Sequence, residues 1–169
     1  LGNSQVLPRD YVKQRDIEVV LSEMAEQVAI RMRREHQKAT IVSVVVTYSK
    51  TEMKQPINTQ MKIEPTNQTR LLTDTVLTLF RKKYTSGAVR GIAVNYSGFV
   101  DESYALISLF DDVEATEKEE NLQRTIDHIR DQFGFLAVQK GTALLDSSRN
   151  IARSKLIGGH SAGGLEGLQ

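Results

Sequence analysis

Hydrophobic positions in this chain alternate at a spacing of two, then recur at three and four, and the whole cycle repeats. The first period suits strands and the second helices. Leu1 to Leu7 reads as a short strand closed by Pro8, with Asp10 placed to cap a helix. From about Lys13 to Gln37, Ile17, Val20, Leu21, Met24, Val28 and Met32 form one helical stripe. Ala39 to Ser49 is the longest β-branched run, which suits a pleated, packed surface. Val42, Val44, Val46 and Tyr48 share one face of that strand, and Ile41, Ser43, Val45 and Thr47 share the other. Ile57 to Glu64 alternates again and predicts the second arm of a hairpin. A second helix is expected from about Gln68 to Tyr84, striped by Leu72, Val76, Leu79 and Phe80. Val89 to Phe99 is a fourth strand, with Ile92, Val94 and Tyr96 opposed to Gly91, Ala93, Asn95 and Ser97.

The order is β-α-β-β-α-β, an α+β plan in which two helices back one four-stranded sheet. A helical C-terminal extension follows. Thr116 and Glu119 suggest a capping box for a third helix over about 117–133, with Leu122, Ile126, Ile129 and Phe133 as its stripe and Gly134 as its stop. Phe135 to Val138 reads as extended, the stretch to Lys155 has no clear period, and the glycine-rich end reads as mobile. The expected domains are 1–100 for the sheet, 101–116 for an acidic connector, and 117–169 for the last helix and tail.

Charge sharpens this division. Residues 1–100 carry 15 Lys+Arg and 9 Asp+Glu, whereas residues 101–169 carry 7 and 12. A basic front half suits a polyanion, which the acidic back half would repel. With no cysteine, disulfides and thiolate metal sites are excluded, which fits a reducing cytoplasm. No apolar run approaches the ~20 residues of a membrane span, so no membrane partner is expected. The chain opens at Leu1, without Met, directly in strand-like sequence, as a piece of a longer protein would.

Several segments then look familiar in order. Leu1 to Tyr11, Val89-Arg90-Gly91-Ile92-Ala93-Val94 with Tyr96-Ser97, Ile129 to Gly134, and Lys155 to His160 resemble the C-terminal region of UmuC-like Y-family translesion DNA polymerases. The resemblance implies that residues 1–100 are a little finger domain, whose sheet grips the phosphate backbones of primer–template duplex in the major groove. It implies a DNA repair setting, damaged-DNA binding and an SOS response. The palm and its magnesium would lie upstream in the parent polymerase, so this piece would hold DNA without polymerising it and needs no cofactor or catalytic residue of its own. It also implies a sliding-clamp peptide after the domain, at Leu106, Ile107, Ser108, Leu109 and Phe110, which departs from the family pattern in having Leu106 where Gln is usual.

A backbone grip needs donors spread over one face, with no base reading. The candidates are Gln60 and Lys62 on the hairpin strand, Arg90, Asn95 and Ser97 on the fourth, Ser43 and Thr47 between them, and Ser4 and Gln5 on the first. Four or five phosphate contacts would give a log–log salt slope of about −4. Three alternatives remain. An RNA-recognition-like module shares the strand order but stacks bases on exposed sheet aromatics, and Tyr48 and Tyr96 fall on the apolar parity. A protein–protein interaction module would use the clamp-like peptide and the acidic helix. A free-standing enzyme is the weakest, because His36, His128 and His160 lack partners at metal spacing, and Asp111, Asp112 and Glu114 read as solvated charge.

Overall fold

The long β-branched run becomes a central strand, β2 (Gln37–Tyr48), flanked on both sides. Around it lie β1 (Gly2–Tyr11), α1 (Gln14–Arg34), β3 (Ile57–Thr66), α2 (Thr69–Lys83), β4 (Val89–Ser97) and the short β5 (Val100–Asp101). The computed structural model describes residues 1–103, 113–157, 160 and 161. They fall into two compact units, Leu1–Leu109 and Phe110–Gln169. In the first unit the sheet order is β1-β4-β2-β3, antiparallel throughout, and β5 pairs with the start of β2. This is the expected α+β arrangement with both helices on one face.

The parity expected for the core is observed. Val42, Val44 and Val46 of β2 are buried with Ile92, Val94 and Tyr96 of β4. Above them lie the α1 stripe Ile17, Val20, Leu21, Met24, Val28 and Met32 and the α2 stripe Leu72, Val76, Leu79 and Phe80. Each fully buried aliphatic or aromatic side chain contributes about 1.5–3 kcal/mol. The buried Tyr96 hydroxyl donates to the Ala25 carbonyl of α1 at 3.0 Å, and burial pushes its pKa up. The antiparallel helices are tied at one end by Arg81, whose Nε and Nη2 donate to the two oxygens of Glu18 at 2.8 and 2.6 Å. That hydrogen bonding holds the Glu18 carboxyl below its ordinary value against opposing desolvation, and Gln14 adds a further bond.

Two details differ from the sequence reading. β1 continues past Pro8 to Tyr11, so Asp10 is a strand residue that pairs with Arg90 at 3.5 Å and caps nothing. Proline is tolerated there because β1 is an edge strand, and the pairing with β4 shifts register between Val6 and Tyr11. The α1–β2 turn is made by His36 at φ 53°, a left-handed C-terminal position more usual for Gly or Asn. Its Nδ1 lies 3.0 Å from Glu102 Oε2, and the Glu102 amide donates to the His36 carbonyl at 2.9 Å.

In the second unit, α3 spans Val113–Phe133. It starts earlier than the capping box suggests, so Thr116 and Glu119 lie inside the helix. Gly134, at φ 92°, stops it as expected. The expected stripe is not the buried one: Gln123 and Arg130 are buried, whereas Leu122 and Phe133 are exposed. The reason is local. The Arg130 guanidinium turns onto the segment after the helix, donating to the Val138 carbonyl at 3.1 and 2.8 Å and lying 4.9 Å from the Phe135 ring centre. That segment holds 3-10 turns at Phe135–Ala137 and Gly141–Leu144, where an extended stretch and a featureless one were expected, then α4 (Asn150–Arg153). Beyond α4, β6 (Leu156–Ile157) pairs with β7 (His160–Ser161).

Two stability measurements follow. Tyr96→Phe removes a buried hydrogen bond and should cost about 1 kcal/mol in a denaturant titration, with the sheet retained by circular dichroism. Glu18 has a lowered folded-state pKa, so its contribution is complete above its unfolded value near 4.3 and is lost as pH falls through the folded value. Glu18→Gln should therefore lower Tm at neutral pH, and the gap from the parent should close below about pH 4; a gap independent of pH would contradict the ion pair.

Candidate nucleic-acid interface

In-register antiparallel partners point to the same side of a sheet, so the pairings fix what the face opposite the helices displays. One row across it is Ser4 of β1, Ala93 of β4, Val45 of β2 and Asn58 of β3. The next is Gly2, Asn95, Ser43 and Gln60. Toward one end lie Ser97, Ile41 and Lys62, and toward the other Val6, Gly91 and Thr47. The rows recur about every 6.8 Å along the strands.

The hydrogen bonding of the two faces is opposite in character. On the helix side, Asn3 Nδ2 donates to Gln27 Oε1 of α1 at 2.8 Å. On the open side, the side chains of Ser4, Asn58, Gln60, Lys62, Asn95 and Ser97 make no hydrogen bond or ion pair with any described residue. Ser43 spends its hydroxyl on the Asn95 carbonyl at 3.4 Å. A polar face with unspent donors, floored by Gly91 and Ala93, can receive acceptor groups closely.

The sequence-expected residues separate accordingly. Gln60, Lys62, Asn95, Ser97, Ser43, Thr47 and Ser4 come together on this face. Gln5 does not: it pairs with Ile92, points to the helices and is 9% exposed, so strand alternation removes it from the interface. Arg90 is exposed but lies at the β4 entry, where the pairing with β2 shifts register, and it is engaged by Asp10. Asn58 and Gly2 were not singled out from sequence. Extending the alternation of β3 back from Gln60 gives Asn58, whereas Gly2 is visible only once β1 is in register with Asn95. Leu106, Ile107, Ser108, Leu109 and Phe110 lie outside the described residues, as do Asp111 and Asp112.

No aromatic residue occupies the paired positions of the open face. Tyr96 is in the core, and Tyr48 is half-buried with its ring 6.4 Å from that of Tyr84. The base-stacking platform of an RNA-recognition module is therefore missing from this sheet.

Residues 1–109 match the impB/mucB/samB family C-terminal domain. The chain is 32% identical over 161 residues to DNA polymerase IV 2 of Halalkalibacterium halodurans, covering 95% of this chain and 39% of that protein. It is 31% identical over 162 residues to DNA polymerase IV 2 of Bacillus subtilis, again covering 95% of this chain and 39% of that protein. Among solved structures it is similar to the complex of beta-clamp processivity factor and little finger domain of PolIV, at TM-score 0.45 and 11% identity over 65% of this chain and 97% of that chain. The chain thus spans about two fifths of the length of the curated relatives it matches. It belongs to the impB/mucB/samB family of UmuC-like Y-family DNA polymerases, whose C-terminal domain its residues 1–109 constitute.

Proposed function

We propose that the open sheet face holds duplex DNA by its sugar–phosphate backbones, without reading sequence, as the C-terminal gripping part of a translesion DNA repair polymerase. The observation that carries this is the set of unspent donors, from Ser4 and Asn95 to Gln60 and Lys62, gathered on one face from three strands, β1, β4 and β3. Family membership supports it, as do relatives named DNA polymerase IV.

Width argues against base readout. Four strands about 4.8 Å apart span roughly 14 Å between their axes before side chains are added. B-DNA's major groove is about 12 Å wide. A sheet of this breadth rides across the groove mouth, its rim strands β1 and β3 meeting the two phosphate chains while the floor stays above the base edges. Hydroxyls and amides that contact only phosphates carry no sequence information.

A sliding-clamp tether through Leu106, Ile107, Ser108, Leu109 and Phe110 belongs to the same proposal and rests on the sequence resemblance. So does magnesium in the parent polymerase. No group of three or more His, Asp or Glu among the described residues could hold a metal, and no step proposed for this chain runs through one. Among the described residues, no helix is long and apolar enough to cross a membrane.

Fluorescence anisotropy with labelled duplexes tests the grip. Of the candidate contacts only Lys62, in a row of the open face, and Arg90, at the β4 entry, are cations. The expected log–log salt slope is therefore about −2, shallower than a count of all donors suggests. Lys62→Ala with Arg90→Ala should weaken binding evenly across unrelated sequences and flatten the slope by about 2. No binding at low salt, or a strong preference for one sequence, would defeat the proposal.

A further inference from the structure

Gly2 is in register with Asn95 on the open face. A Cβ built on Gly2 would overlap the Asn95 side chain, striking Oδ1 first and Cγ next. The Asn95 amide therefore lies across the β4–β1 boundary, in the space left by a missing side chain. Its oxygen faces β1, so its Nδ2 donors are turned away from that strand. The side chain is exposed and hydrogen-bonded to no described residue. The neighbours of this pair are held from the backbone side. Arg31 Nη2 donates to the Gly2 carbonyl at 2.6 Å, and Ser43 Oγ to the Asn95 carbonyl at 3.4 Å. Both strands are pinned at this row, so a methyl group on residue 2 would displace the amide rather than the backbone.

We propose that Gly2 is a positioning residue: its missing side chain takes the Asn95 amide oxygen, and so leaves Nδ2, turned away from β1, to meet a phosphate oxygen over the open face. This rests on the backbone-grip reading and names the donor that reading would use opposite Lys62, which lies on the β3 rim. An amide drawn into the space a glycine leaves can meet a backbone without reaching into the groove.

Duplex affinities of the 169-residue chain would be measured for Asn95→Ala, Gly2→Ala and the double variant, with melting curves recorded for each. Asn95→Ala should weaken binding roughly three- to tenfold. Gly2→Ala should weaken it by the same factor, and the double variant by no more than either single change. In nuclear magnetic resonance spectra, the Asn95 side-chain amide signals should shift on duplex addition in the parent and not in Gly2→Ala, a readout that a purely structural glycine would not alter. Parental affinity in Gly2→Ala, or losses that multiply in the double variant, would overturn the proposal. If Gly2→Ala does not fold, the double variant is compared with Asn95→Ala: equal affinity supports the seating, and further loss refutes it. If Asn95→Ala binds like the parent while the Lys62 and Arg90 double variant does not, the seating fails and the grip stands. If no variant and no parent binds, both fall.

Discussion

Side chains on a strand alternate between faces, and in this sheet one face is already committed. Val42, Val44, Val46, Ile92, Val94 and Tyr96 are buried beneath α1 and α2. A slip of one residue in either central strand would bring polar groups such as Ser43 and Asn95 into the core and expose three large apolar side chains at once. Several lost burials of about 1.5–3 kcal/mol each would exceed the whole stability of many domains. The hydrophobic face thus sets the register, and the register decides which donors share a row. The open face is accurate in its arrangement because the core, lying one side chain away, permits no other.

That dependence explains what could be read from the residues. Both helical stripes of the first unit and the parity of β2, β3 and β4 follow from periodicity, because each element satisfies its pattern against the others. The failures have separate causes. β1 breaks its alternation between Val6 and Tyr11, and an edge strand tolerates both Pro8 and the shift, so neither its end nor the pairing of Asp10 with Arg90 was legible. Ser4 and Gln5 were both expected at the interface, although adjacent strand residues cannot share a face. In α3, periodicity gave the helix but not the buried side, since Arg130 found a carbonyl partner in Val138 while Leu122 and Phe133 stayed exposed. The seat of Asn95 over Gly2 needed the pairing itself, since the two residues are far apart in sequence.

The basic character of the first unit also needs a place in this picture, because the open face carries little of it. Exposed Arg15, Arg31, Arg34, Arg70, Lys82 and Lys83 all lie on the helices, not in the rows of the sheet. Packed secondary-structure layers are separated by about 10 Å, which is close to the Debye length at 0.1 M salt. Charges at that remove draw a polyanion in when salt is low but are largely screened from it once salt is present. On the proposed grip, the close contacts other than Lys62 would fall to hydroxyls and amides, each contributing about 1 kcal/mol and each satisfied equally by any phosphate. That proposal would assign long-range attraction and close contact largely to different residues. A duplex held this way meets no deep well at any one step of the backbone. Advancing by one nucleotide replaces a set of weak equivalent bonds with another, which is what a grip must allow if the DNA is to move through it.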